Sequence, residues 1–581
     1  MPHDSNNTTG QVGFGFASFL LGDVQSAAAS TPLDLCGRRK ALSLFAQDTY
    51  KVTPRLTLNL GLRWDATLRF HEKYGHWANF DLNAVDPNLG IPGAIVYAKN
   101  GNDSFEKNED WKNFGPQIGF AYSPWERWVV RGSFDITFVP IGIQYFAGVP
   151  YGFAPGFRGT NNAPGPFNWD QGYPGKFTPG NTTSTPDPSL FPIATVDPHA
   201  LRAGYTENWN VGTQYAMTKN MRLEVSYIGN RGHRLQGSNL AYNEASSGKF
   251  FNLVQSGNAS VPVCAPYTAA SIGVPYPFSG FCGPAFAAIA PYPQLAQGAA
   301  YYVGYPNLYY VGLPLGQSSY DSMVIEVVKH SGKGLTTNMS YTLSRQLGDT
   351  FDNFGDSYEV ALNGIQDMSN LKEAAHTLSP YDQTHILKGY ATYQLPFGNG
   401  RRLLANRGRV VNAIVGGWTL SGIVTYASGS PMTFYSPNIY NYYPGWAAIY
   451  VNYNLGGYKG SAFNPGNFAP TTSANPAPGG NLYFPASVVS NPSDGQLGAG
   501  PSRISALRGF GMTSENAGLL KYFRFGADGK YELSLRMEFY NFFNRNTFAN
   551  PNTSVGSPQF GYVTGATDTP RQGQFGARLQ W

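Results

Sequence analysis

His71-Glu72 followed by His76 places two imidazoles and a carboxylate close enough to suggest a zinc site. The spacing is one residue too long for both histidines to share a helical face around a metal, so loop histidines are the better reading. Gly13-Phe14-Gly15 lacks the third glycine and the preceding strand of a dinucleotide fingerprint. No G-x-S-x-G elbow positions a nucleophile. Asp349, Asp352, Asp356 and Glu359 offer the hard oxygens that calcium takes, but without EF-hand spacing, and a solvated loop is the better reading. The densest chemistry is aromatic. YYVGYPNLYYVG gathers Tyr301, Tyr302, Tyr305, Tyr309 and Tyr310, and NIYNYYPGWAAIYVNY gathers Tyr440, Tyr442, Tyr443 and Trp446. Rings with polar tips stack on sugars or apolar ligands, and they also pack on one another to hold a long loop. These nine are the candidate ligand contacts; no catalytic residue, metal ligand or cofactor is expected.

What could position such loops is set by composition. Of 581 residues only 13% are charged while 15% are aromatic, and glycine and proline number 69 and 42. Few charges, many rings and many turn formers suggest β-structure with long connections. A net charge of +5 without a basic tract argues against nucleic acid. Cys264 and Cys282 lie in one irregular segment and could pair in an oxidising space; unpaired loop thiols are the alternative, and Cys36 is left over in either case. No apolar run is long enough for a membrane helix. A transmembrane barrel would hide its apolar surface in every second residue, which fits a mean hydropathy of −0.28. The start, MPHDSNNTTG, has no basic region followed by an apolar core, so no secretory signal is read there.

Alternation recurs along the chain. In LTLNLGLRWDATL, Leu56, Leu58, Leu60, Leu62 and Trp64 alternate with Thr57, Asn59, Gly61, Arg63 and Asp65. The same pattern runs through 114–122, 128–136, 209–215, 221–227, 335–343, 387–395, 418–426, 531–539 and 571–581, with weaker patterns at 322–330 and 519–525. With the strand that must precede the turn at Val52, about thirteen result, fourteen if Phe19 to Ser26 is one. Tight turns join them in pairs, at Val52-Thr53-Pro54-Arg55, Ser123-Pro124-Trp125-Glu126, Met217-Thr218-Lys219-Asn220, Ser331-Gly332-Lys333-Gly334 and Gly526-Ala527-Asp528-Gly529. Between the pairs lie connections of about 27 to 89 residues.

Loops this long count against a soluble domain but are normal for an outer-membrane barrel, with short periplasmic turns and long extracellular loops. The predicted fold is therefore all-β, an antiparallel transmembrane β-barrel. Apolar side chains face lipid, and Arg63, Asp65, Arg131, Asp135, Arg222, Glu224, Glu532, Arg536 and Glu538 face a wide, wet interior. Trp125, Trp128 and Tyr122 belong to an interfacial aromatic girdle. Pro396 to Ala413, with Arg401, Arg402, Arg407 and Arg409, breaks the rule of short turns and reads as a solvated basic loop.

FAQDTYKVTPRLTLNLGLRWD (Phe45 to Asp65), ENWNVGTQYAMTKNMRLEVSYIGNRGHRL (Glu207 to Leu235) and LRMEFYNFFNRNTFANPN (Leu535 to Asn552) resemble the barrel of TonB-dependent outer-membrane receptors. The likeness is greatest to the Oar-like group abundant in Acidobacteria and related Gram-negative bacteria. The resemblance implies a barrel of 22 strands, preceded in the family by a signal peptide, often a carboxypeptidase-regulatory domain, a TonB box and a plug, none of which is visible here. It makes residues 41–581 a C-terminal barrel portion and 1–40 the remnant of a barrel loop or strand. It implies import of a solute across the outer membrane, with the TonB complex acting only through a plug, and recognition of the terminal Trp581 by the barrel-assembly machinery. The alternative is a non-transporting surface barrel, an adhesin or structural protein. A soluble propeller or solenoid would show a fixed sequence period, which these loop lengths lack.

Overall fold

The computed structural model describes residues 20–24, 27–30, 36–139, 193–195, 197–199, 201–237, 240–241, 245–295, 308–310, 313–330, 334–348, 377–405, 408–434, 450–526, 530–566 and 570–581, with short pieces between 145 and 185 and single residues 243 and 436. Thirteen long strands form one continuous antiparallel wall: β1 (Ala41–Thr53), β2 (Leu56–Thr67), β3 (Asp110–Trp125), β4 (Trp128–Phe138), β5 (Tyr205–Thr218), β6 (Met221–Gly237), β7 (Leu313–His330), β8 (Leu335–Gly348), β9 (His385–Gln394), β10 (Trp418–Ala427), β11 (Met512–Phe525), β12 (Tyr531–Tyr540) and β13 (Gln572–Gln580). Each pairs with its neighbours in chain order, the simplest topology an antiparallel sheet can have. The sheet's fourteenth strand is the short Thr377–Leu378, paired with β8. The segment Phe19 to Ser26 does not supply it. Among the described residues of that stretch only Asp23–Val24 is a strand, and it pairs with Phe167–Asn168 in a connecting segment.

Register turns local alternation into two continuous faces, because residues opposite one another across a ladder share a side. Leu58 lies opposite Phe120, Phe120 opposite Gly132, Gly132 opposite Val211, Val211 opposite Tyr227, and Tyr227 opposite Met323. At the other end Leu420 lies opposite Leu519, Leu519 opposite Met537 and Met537 opposite Phe575. The polar set stays together in the same way: Asn59 opposite Gly119, Gly119 opposite Ser133, Ser133 opposite Asn210. A one-residue slip anywhere would exchange the faces, so the pattern fixes the register. β1 and β13 pair on one side only among the described residues, and every residue of both is exposed.

The described tight turns are built by the residues that suggested them, whereas 331–333 and 527–529 of two further predicted turns lie outside the described residues. Thr53 Oγ1 accepts from the backbone N–H of Arg55 (3.2 Å) and Leu56 (3.0 Å), closing the turn that Pro54 preorganises. Trp125 and Trp128 flank the next turn with ring centroids 5.4 Å apart, and Trp128 also meets Tyr215 edge-on at 6.2 Å. Two expectations need correcting. The basic connection is not simply a solvated loop: Arg409–Val415 forms helix α4 within it. The connection after β6 is also shorter than alternation suggests. β6 continues to Gly237 and β7 starts at Leu313, because strands run on past the alternating stretch into loop surroundings where one face no longer needs to be apolar.

Candidate functional site

Two regions could meet a solute: the polar face of the wall and the cap of connecting segments above it. On the polar face, hydrogen bonds link side chains across strands. Arg63 Nε donates to Asp65 (2.8 Å), which also accepts from Ser43 Oγ (2.5 Å). Asp135 accepts from Asn208 Nδ2 (2.9 Å) and Thr137 Oγ1 (2.8 Å), and Asn230 donates on to Asn208. Arg131 Nη2 donates to Gln214 Oε1 (2.5 Å), Asn338 Nδ2 to Glu326 (2.8 Å), and Arg524 Nε to Glu532 (2.7 Å). All nine charged residues expected on the polar side share it by register. A shallow cavity of about 310 Å³ lies among Gln47, Asn59, Gln117, Ser133 and Asp135. Exposed ions and amides of both signs in one plane suit a hydrated, polar solute better than an apolar one.

The cap has conventional cores. Helix α1 (Ser247–Gln255), α2 (Pro266–Ser271) and α3 (Ala285–Ala288) bury Phe250, Val263, Phe281 and Phe286, with Leu89, Ile91 and Leu497 packed against them from other connections. Cys264 and Cys282 are bonded within this unit, so of the two alternatives pairing is the one realised. A second core joins Phe434, Val451, Phe484, Leu507, Phe560 and Val563 from two connections. A third sets Phe80 and Ile95 against Leu295 and Leu308. Gly93 marks the tightest seam: its φ is +99°, and a Cβ there would stand 2.5 Å from the Tyr292 ring. Burial raises the phenol pKa values of Tyr97, Tyr458 and Tyr483, with neighbouring Tyr458 adding to the effect on Tyr483.

Buried ions fasten cap to wall. Asp382, almost wholly buried, receives Arg508 Nη2 at 2.5 Å and the backbone N–H of Gln346 in β8 at 2.6 Å. Arg508 Nη1 also donates to the carbonyls of Asp382 and Gly429. Arg503 Nε donates to the Leu378 carbonyl at 2.6 Å. Arg39 meets Glu106 at 2.5 Å, and Glu106 also accepts from the Phe70 N–H. Sequence reasoning missed these clamps, whose partners are up to 126 residues apart with no local pattern to announce them.

The stretch from His71 to His76 is held by backbone hydrogen bonds. Glu72 is buried and accepts from the backbone N–H groups of Cys36 (2.8 Å), Tyr74 (2.9 Å) and His76 (2.6 Å), so its carboxylate is already occupied. Among the described residues no cluster of metal-ligating side chains occurs. Tyr309 and Tyr310 lie in the strand Leu308–Tyr310, which pairs with Ile193–Thr195 and Leu240–Ala241 in the cap. Tyr301, Tyr302, Tyr305, Tyr440, Tyr442, Tyr443, Trp446, the acidic set at 349–359 and Gly13 to Gly15 lie outside the described residues.

An antiparallel wall with one apolar and one charged face, tight turns at one end and long packed connections at the other, is the architecture of a transmembrane β-barrel. The chain belongs to the outer membrane beta barrel domain family, whose model matches residues 3–574, which places it in the outer membrane of a Gram-negative bacterium. No curated protein matches its sequence. Among solved structures it is similar to the ferripyoverdine receptor of the outer membrane of Pseudomonas aeruginosa, at 11% identity over 95% of this chain and 40% of that one, with a TM-score of 0.37. The ferric citrate transporter FecA gives 10% identity, 95% and 46% coverage and 0.36; the ferric-catecholate import receptor Fiu from E. coli K12 gives 11%, 94%, 45% and 0.37. The chain thus spans less than half the length of each of these proteins.

Proposed function

We propose that this chain is the barrel portion of a TonB-dependent receptor of the Oar-like kind, which binds a solute at its outer face and imports it. The observation that carries the reading is the continuous polar face of paired charges and amides, lying beneath a cap held by buried ions. Residues 41–581 would be the barrel portion and 1–40 the remnant of a barrel loop or strand, of which Gly37–Arg38 pairs with His71–Glu72. Coupling to the TonB complex would act through a plug, Trp581 would be read by the assembly machinery, and the nine loop aromatics would contact the solute. No enzymatic step is assigned.

The test is uptake by whole cells with and without the gene that encodes this chain, using labelled ferric siderophores, cobalamin, maltodextrins and oligopeptides. Uptake of one of these that disappears on deletion and also on adding a protonophore is the expected result. Uptake that survives the protonophore would replace energised import by passive diffusion. No difference in uptake, together with loss of cell adhesion, would favour the surface-barrel alternative.

A further inference from the structure

The connection between β9 and β10 lies at the end of the wall where the other connections are short, yet it spans residues 395–417, of which 395–405 and 408–417 are described. Its sequence, LPFGNGRRLLANRGRVVNAIVGG, holds four arginines and no acidic residue. Backbone bonds from Leu403 to the Pro396 carbonyl (2.8 Å) and from Gly398 to the Leu403 carbonyl (3.0 Å) close its first half. Asn412 Oδ1 accepts from the Asn399 N–H at 2.7 Å, tying that half to α4. Gly398, at φ +101°, sits so close that a Cβ would come within 2.6 Å of Gly416 Cα. The element is fixed, and it displays apolar side chains: Val410 is 75% and Ile414 67% exposed, one helical turn apart, with Leu403 and Leu404 also exposed.

Its position on the wall is set by two contacts. Trp418 Nε1 donates to the Ile414 carbonyl at 2.8 Å, and Lys521 Nζ donates to the carbonyls of Ile414 (3.2 Å) and Gly416. Trp418 and Lys521 lie opposite one another, and Lys521 lies opposite Leu535, on the side that carries Leu420, Leu519 and Met537. The last turn of α4 is therefore held against the apolar, lipid-facing side. This also explains a lysine on that side: its ammonium sits 4.9 Å from the Trp418 and Phe523 rings and satisfies the open carbonyls at the helix C-terminus.

We propose that this connection is an interfacial anchor, with α4 lying in the headgroup layer of the periplasmic-side leaflet. Val410 and Ile414 enter the acyl boundary, and Arg401, Arg402 and Arg409 bind the phosphates of anionic phospholipid. A helix with exposed apolar residues, unopposed positive charge and a fixed seat at the membrane rim has the features of an interfacial element. The inference rests on the outer-membrane assignment and not on solute import.

The full chain, purified as folded protein from outer membranes, is labelled with the environment-sensitive dye NBD at Ile414→Cys in a Cys36→Ser background. Val410→Cys is a second site in case the first disturbs folding, and Lys219→Cys, in a tight turn at the same end, is the reference. In phosphatidylcholine vesicles containing phosphatidylglycerol, the dye at 414 and 410 should emit further to the blue than at 219 and be quenched by lipids carrying shallow nitroxides. Each arginine near an anionic surface contributes about 1 kcal/mol, or roughly fivefold in the ratio of inserted to released element. R401Q/R402Q/R409Q should therefore reduce insertion to that seen in phosphatidylcholine alone. Dye as water-exposed as at Lys219, or insertion indifferent to phosphatidylglycerol, would overturn the proposal.

Discussion

The wall and the cap use the same apolar residues in opposite ways. In the wall, Leu60, Ile118, Phe134, Leu420 and Phe575 are all more than a third exposed, and among the described residues almost none of the buried apolar side chains belong to its strands. In the cap, Phe80, Phe281, Phe434, Phe484 and Leu308 are all but inaccessible. The difference lies in what surrounds each region. Lipid receives the apolar side of the wall, so side-chain packing is not required there and backbone pairing carries the structure. Water surrounds the cap, so its phenylalanines must meet one another, and the folding rules of a soluble domain return.

Substitutions can break this contrast, and the largest effect is expected in the cap. Phe484 is wholly buried and meets Phe434 at 5.6 Å and Phe560 at 5.3 Å. Phe484→Ala should cost about 3–5 kcal/mol as a core cavity. Phe575→Ala, facing lipid, should cost only about 0.5 kcal/mol, the small contribution of such a residue on an insertion scale. Denaturant titration of protein in vesicles measures both, with cap proteolysis and heat-modifiable mobility reporting separately on cap and wall. Equal losses would mean that the two regions obey one rule.

A sharper comparison uses adjacent residues. Ile118 and Gln117 are both exposed but lie on opposite faces of β3. Ile118→Arg should destabilise the protein by about 2–4 kcal/mol if it lies near the bilayer midplane. Gln117→Arg should change it by no more than about 0.5 kcal/mol, as expected for a solvated surface site. The same titration decides, and comparable losses at both positions would show that the polar face is not in contact with water.

This contrast also explains what was legible beforehand. Alternation such as Leu56 to Trp64 is a local signature of a membrane strand, so the faces, the tight turns and most of the wall could be read directly. The cap follows tertiary rules. Nothing near Asp382 points to Arg508, and nothing near Phe80 points to Leu308, so its cores stayed invisible. α4 was missed because glycines and arginines crowd around Val410 and Ile414, and their apolar character has meaning only once Lys521 and Trp418 place them at the rim.

The smallest effect concerns protons, and again it belongs to the cap. Tyr483 donates to the Arg508 carbonyl at 2.9 Å, and burial, reinforced by Tyr458, raises its phenol pKa in the folded cap. Tyr97 and Tyr458 are shifted in the same direction by burial. A raised folded-state value means that the folded protein holds its proton where the unfolded chain has begun to lose it. The contribution is thus fully present below the unfolded tyrosine value of about 10 and is lost as pH rises through the higher folded value. Cap proteolysis should accelerate above about pH 10 before the mobility of the wall changes. Tyr483→Phe should cost about 1 kcal/mol at neutral pH, by leaving the Arg508 carbonyl without this donor. It should also shrink, without abolishing, the alkaline loss, because Tyr97 and Tyr458 still titrate. An alkaline transition in which wall and cap move together would instead locate the sensitive groups in the strands.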